Sequence, residues 1–261
     1  MTIHTKFPAQ LVQNPGSLTL QRITAVVADA RAAVFREDPL LTTALSRLVS
    51  VTSSVVKRHG HVLEGAIADA LESSGRYVVL RRQRLPITAE GRALVAAGRH
   101  DEEVLEISEI ESWVDADLVV LDRTTGHLLA LQIKRGGGKT DMKKRRQIEK
   151  DLRCARPTCR AFFAKELPEL DVRSCEVRIV DVYGGAGFDP GLTILGAELD
   201  TAFDMPVEAW ITATTTALRA ALAAMLPELL QPILAGLGDR EARDECPPRS
   251  RAALIGLPSA D

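Results

Sequence analysis

Two short apolar runs near the middle of the chain, Leu118-Val-Val-Leu121 and Leu128-Leu-Ala-Leu131, flank the polar segment Asp122-Arg-Thr-Thr-Gly126-His127. Strand-forming residues bounded by Asp, Thr and Gly predict a β-hairpin, and Gly126 supplies a residue that tolerates positive φ. With Arg123 to Gly126 as the loop, Asp122 pairs with His127, Asp117 with Gln132 and Asp115 with Lys134. The side-chain period of two then puts Asp115, Asp117, Gln132 and Lys134 on one face and Ile133 on the other. A one-residue slip would separate the two polar pairs, and apolar residues on both faces leave that slip open.

Helical periodicity brackets this hairpin. Leu63, Ile67, Ala70 and Leu71 recur at helical spacing between His59 and a stop at Gly75, with Glu64 at the edge of the apolar stripe. His59 and His61 straddle Gly60 just before the Glu64 helix, where a solvent-exposed helix entry is the expected reading and a ligand or general-base role the competing one. Arg76 to Leu85 reads as the first strand and Val177 to Tyr183 as a later one, while residues 20–56 read as one or two amphipathic helices broken at Pro39. Residues 206–236 are helical in pattern and unusually apolar, with Leu218, Leu222, Met225, Leu226, Leu229 and Leu230 at helix-like spacing. The expected organisation is a helical extension over 1–56, an α/β core over 57–190 with a mixed sheet of about four strands, a helical segment over 191–238 and a mobile tail over 239–261.

Composition narrows the class. A chain of 261 residues that is 46% hydrophobic can bury a full α/β core. Its formal charge of -2 means that any affinity for nucleic acid must come from local clustering. Such a cluster exists: residues 139–160 hold nine Lys and Arg against three Asp and Glu. Lys139, Lys143, Lys144, Arg145, Arg146, Lys150 and Arg153 follow the hairpin directly and fit contact with a phosphate backbone, a solvated helix face being the competing reading. Gly136-Gly-Gly138-Lys139-Thr140 fails as an ATP-binding loop, because that motif needs Gly where Ile133 stands; its backbone N–H groups remain suited to a nucleic-acid phosphate. Cys154 and Cys159 lack the second pair that a zinc site requires. No charged segment followed by an apolar stretch opens the sequence, and no uninterrupted membrane-length span is expected, so the expected location is cytoplasmic. Dimerisation through the terminal helices is one expectation, packing on the core the other.

The polar cluster has a chemistry. Phosphodiester cleavage calls for oxygen ligands to a hard divalent cation and a positive charge beside the attacking water. Asp117 and the Gln132 carbonyl would supply ligands, Glu64 a further one, Asp115 a reserve, and Lys134 the charge. In the order helix with Glu64, strand, strand with Asp117, strand with Gln132-Ile-Lys134, helix, strand, residues 57–185 resemble the PD-(D/E)xK nuclease superfamily. That resemblance implies a restriction-endonuclease-like fold and a Mg2+- or Mn2+-dependent nuclease acting on DNA. Two departures stand out: Gln132 replaces the usual acid, and Ala116 rather than Pro precedes Asp117. The first costs a negative charge at the cation and points to an alternative, a DNA-binding protein on the same fold with weak or no cleavage, such as a mobile-element accessory or regulatory factor. A third reading makes the apolar C-terminal helix an interaction surface.

Overall fold

The computed structural model describes residues 16–104, 106–107 and 109–243. Helices α1 (Ser17–Ala32) and α2 (Thr43–Ser73) are followed by β1 (Tyr77–Thr88), α3 (Ala89–Ala96), β2 (Ile110–Asp122) and β3 (His127–Lys134). Then come α4 (Met142–Glu166), β4 (Ser174–Asp181), the short β5 (Thr193–Leu195), α5 (Leu199–Phe203) and α6 (Val207–Arg243). The result is an α/β architecture with a five-stranded mixed sheet in the order β1-β2-β3-β4-β5. Strands β1, β2 and β3 form an antiparallel meander, whereas β4 and β5 run parallel to β3. A parallel neighbour needs a crossover, and α4 provides it between β3 and β4.

Local chemistry sets these boundaries. Thr42, Thr88 and Asp141 cap α2, α3 and α4 by accepting from the backbone N–H of Leu45, Gly91 and Lys144. Gly75, at φ +67°, turns the chain out of α2. In the hairpin, Asp122 Oδ1 accepts from Thr124 N and Oγ1, and the Gly126 amide donates to the Asp122 carbonyl. Arg76, immediately before β1, grips Asp122 Oδ2 through Nε and Nη2, at 3.1 and 2.7 Å. The β2–β3 register runs from Leu118–Leu131 to Leu121–Leu128, which is the register the loop length predicted.

Each face of the sheet has its own core. Leu85, Val119, Leu121, Leu128, Ala130, Val177 and Ile179 pack with Leu152, Ala155 and Phe163 of α4. The opposite face, with Leu118, Val120, Leu131, Ile133 and Val180, packs on Leu63, Ile67 and Leu71 of α2 and on Phe203 and Ile211. Fully burying each such aliphatic side chain stabilises the fold by about 1.5–3 kcal/mol. A third cluster joins α1, the first half of α2 and α6 through Ile23, Val51, Val55, Leu218, Met225 and Leu229.

Several expectations are corrected. Helix α2 continues without interruption through residue 57, where the pattern had suggested a new beginning, because its apolar positions serve two cores in succession. His59 and His61 therefore lie within a helix, and His59 is only 8% exposed. Strand β1 extends to Thr88, and a fifth strand lies within the span expected to be helical. Residues 207–237 do form a helix long and apolar enough to cross a membrane by length and composition, contrary to the expectation that no such span exists. Leu218, Met225 and Leu229 of that helix are buried against α1 and α2, while Leu230, Leu234 and Leu237 face outward. Helix α6 runs to Arg243; residues 244–261 of the expected mobile tail, which include Cys246, lie outside the described residues.

Candidate active site

The β2–β3 ladder ends at Leu118–Leu131, and the two strands are joined beyond it by a side chain instead. Asp117 Oδ2 accepts from the backbone N–H of Ile133 and from Nε2 of Gln132, both at 2.6 Å. A carboxylate can only accept, so the Gln132 nitrogen faces Asp117 and its carbonyl oxygen is the atom left to serve a ligand. Ile133 is buried with Leu131 against α2, and the alternation of β3 turns Gln132 and Lys134 the other way.

Glu64 approaches from α2. Its carboxyl is held above the usual range, first by burial and then by the negative charge of Asp117; His61 and Arg82 act in the opposite direction. His61 Nδ1 and Glu64 Oε1 are 3.0 Å apart. A buried carboxyl held in this way beside a second carboxylate is poised to gain from a cation. Lys134 shares this environment: burial pushes its ammonium below the usual lysine value, Lys144 adds to that, and Asp117 and Glu64 partly offset it. No carboxylate among the described residues lies within ion-pair distance of Lys134.

Of the predicted residues, Glu64, Asp117, Gln132 and Lys134 thus come together, and Lys144 stands near enough to act on Lys134. Asp115 does not join them. It is exposed and faces Arg84 of β1, because the strands diverge where its pairing with Lys134 was expected. Among the described residues, no group of three or more His, Cys, Asp and Glu side chains is placed to hold a metal ion. The basic cluster divides as well. Lys139, Lys143, Lys144, Arg146 and Lys150 are exposed, but Arg145 donates to the Gly187 carbonyl and Arg153 pairs with Asp189 at 2.7 Å. The glycine loop is packed at one end and open at the other: Gly136, at φ +70°, sits against the buried Asp181 carboxylate and its carbonyl accepts from Gly185 N, whereas Gly137 and Gly138 are exposed. Cys154, Cys159 and Cys175 are free, buried thiols. Trp113 is 39% exposed, with Phe162 edge-on at 5.7 Å and the Arg84 guanidinium over its ring at 4.9 Å.

Sequence reasoning missed the other wall of the site. A cleft of ≈390 Å3 opens between α1, α2, β1 and β2, and Arg22, Arg58, Arg81 and Arg82 line it together with Glu64 and Asp117. Arg82 has φ +54° and interrupts the pairing of β1 with β2 directly opposite Asp117. Left-handed backbone at a non-glycine costs about 1–3 kcal/mol and gathers at functional sites. The Arg81-Arg82 doublet in a strand was the available signal; Arg22 gave none, since only the docking of α1 brings it near. Asp69 of α2 is one anchor of that docking: its Oδ2 accepts from Thr19 N and Oγ1 at 3.1 and 2.6 Å and its Oδ1 accepts from Arg81 at 3.1 Å.

The chain matches no protein-family model, no curated protein and no solved structure.

Proposed function

We propose that the protein is a divalent-metal-dependent phosphodiesterase acting on nucleic acid. More particularly, it reads as a PD-(D/E)xK-type nuclease with a restriction-endonuclease-like core, in which Gln132-Ile-Lys134 replaces the acidic form of the motif and DNA is the substrate. The observation that carries this reading is the double acceptance by Asp117 Oδ2, from Gln132 and from Ile133 N, which fixes the Asp and the Q-x-K strand as one unit beside Glu64 and Lys134.

The donor set fits Mg2+ or Mn2+. Mg2+ is commonly held through one or two carboxylates with water completing its shell, and Asp117, Glu64 and the Gln132 carbonyl oxygen would hold it here. When bound, the cation would polarise a phosphoryl oxygen and lower the pKa of a water molecule. Gln132 orients Asp117 through its amide nitrogen. Lys134, partly buried on a rigid strand, presents an ammonium that can orient the attacking water and stabilise charge developing on the phosphoryl oxygens. The exposed lysines of α4 continue away from the site as a sequence-independent grip on the backbone.

One observation favours the binding-only alternative. Because the Gln132 amide itself satisfies Asp117, this part of the site can be held together without a cation. Incubation of supercoiled, linear and single-stranded DNA and of RNA with Mg2+ or Mn2+, beside Lys134→Ala, decides between the two. The nuclease reading expects metal-dependent cleavage of at least one substrate, lost by at least ~100-fold, as for a positioned catalytic group, in a variant that melts like the parent. Cleavage unchanged in Lys134→Ala rejects the mechanism. Salt-sensitive retention of DNA without cleavage in either metal selects the alternative.

A further inference from the structure

Resting on the nuclease reading, we propose that the arginine-lined cleft is a pocket for the terminal phosphomonoester of a nucleic-acid strand, with Arg22 and Arg82 as its anchors, so that the enzyme works from strand ends. The first argument is charge. Of the four guanidinium groups at the cleft, Arg58 is tied to Asp29 at 3.2 Å, and Arg81 to Asp69 and Glu72 at 3.1 and 2.9 Å. Arg22 and Arg82 form no ion pair among the described residues. A terminal phosphomonoester carries about -1.5 to -2 at neutral pH, whereas an internal diester carries a single charge, so two free guanidiniums match the end of a strand.

Placement is the second argument. Arg22 crosses from α1 onto α2 directly over Gly65, where any Cβ would collide with its guanidinium, and so lies beside Glu64. Arg82 acts electrostatically on Glu64 and is turned by its left-handed backbone at the position opposite Asp117. A phosphate gripped by these two side chains shares one cleft with both carboxylates. The third argument is size. At ≈390 Å3 the cleft has the volume of a small-ligand site, which runs from about 300 to 1,000 Å3. It suits a single terminal nucleotide.

Binding of short fluorescent DNA strands to the full chain in EDTA tests this independently of cleavage. Strands with a 5′-phosphate, a 3′-phosphate or hydroxyl ends are compared by anisotropy, with a nucleoside 5′-monophosphate as competitor. One phosphorylated end is expected to bind at least about tenfold more tightly than the hydroxyl-ended strand, ~1.4 kcal/mol. That advantage disappears in Arg22→Gln and in Arg82→Gly, while affinity for the hydroxyl-ended strand persists through α4. Arg82→Gly suits the positive φ, so loss of folding does not obscure the result. Equal affinity for phosphorylated and hydroxyl-ended strands overturns the proposal, as does a mononucleotide that competes as well as the phosphorylated strand. Cleavage of closed circular DNA as fast as linear DNA overturns the end-directed action while leaving the nuclease reading standing. Absence of cleavage on every substrate removes the nuclease reading and leaves the phosphate preference to be read from binding alone.

Discussion

Removal of the Asp69 carboxylate is the most demanding test of how the cleft is built. Asp69 is 7% exposed and joins three parts of the structure. Helix α1 begins after Gly16, which has no side chain to cap it, and Asp69 takes over that role at the Thr19 amide. Thr19 is itself completely buried, so Asp69→Ala leaves its N–H and hydroxyl without that acceptor. It also leaves Arg81 with Glu72 alone. A lost cap costs about 0.5–2 kcal/mol, and leaving the buried Thr19 hydroxyl unsatisfied costs about 1–3 kcal/mol, whereas the partly exposed Arg81 keeps Glu72 and adds little. The contributions share one carboxylate and do not add fully, so the expected loss is about 2–4 kcal/mol. For a chain of this size each kcal/mol moves Tm by roughly 2–4 °C, giving a fall on the order of 10 °C. Urea unfolding followed by circular dichroism measures the loss, and amide exchange locates it in α1. Asp69→Asn keeps an acceptor and should lose less. A loss below about 1 kcal/mol for Asp69→Ala would refute the reasoning, because α1 would then dock without this carboxylate.

Glu64→Gln is expected to raise Tm in EDTA, since it removes a buried carboxyl that Asp117 opposes, and to abolish stabilisation by Mg2+ or Mn2+. At ten times its Kd a specific cation stabilises the parent by about 1.4 kcal/mol, so equal metal-induced shifts in parent and variant would remove Glu64 from the ligand set. His59 faces Arg135, Tyr183 and Thr215, and burial, followed by the Arg135 charge, lowers its pKa from 6.5 to about 4. The unfolded chain therefore takes up the proton first: stability is full above pH 6.5, declines toward pH 4 and levels off below it. One pKa unit is ~1.36 kcal/mol, which bounds this contribution at about 3 kcal/mol; His59→Gln should flatten that part of the pH–stability curve, and an unchanged curve excludes His59 as its source. Gly136→Ala places a Cβ against the Asp181 carboxylate at φ +70°. It should cost more than about 2 kcal/mol in urea unfolding, and a near-neutral result would mean that the β3–α4 loop is not packed on β4.

The hairpin and its register were legible in the sequence because two apolar runs and a Gly-containing loop leave few ways to pair, and that register alone fixed Asp117 and Gln132 as neighbours. The helix carrying Glu64, the basic helix after Lys134 and the α/β class followed from periodicity and element order. Other features were decided only by tertiary packing. Helix α2 is continuous because its apolar positions face one core early and another late, a change that periodicity alone reads as a boundary. Asp115 is separated from Lys134 because β2 stays with β1 while β3 pairs with β4, a division set by the parallel crossover. Arg22 joins the arginines of α2 and β1 only because α1 docks on α2, through Asp69 fifty positions away in the chain and through a shared apolar cluster. Local pattern specifies which face a side chain occupies; the docking of distant elements decides which charges meet there.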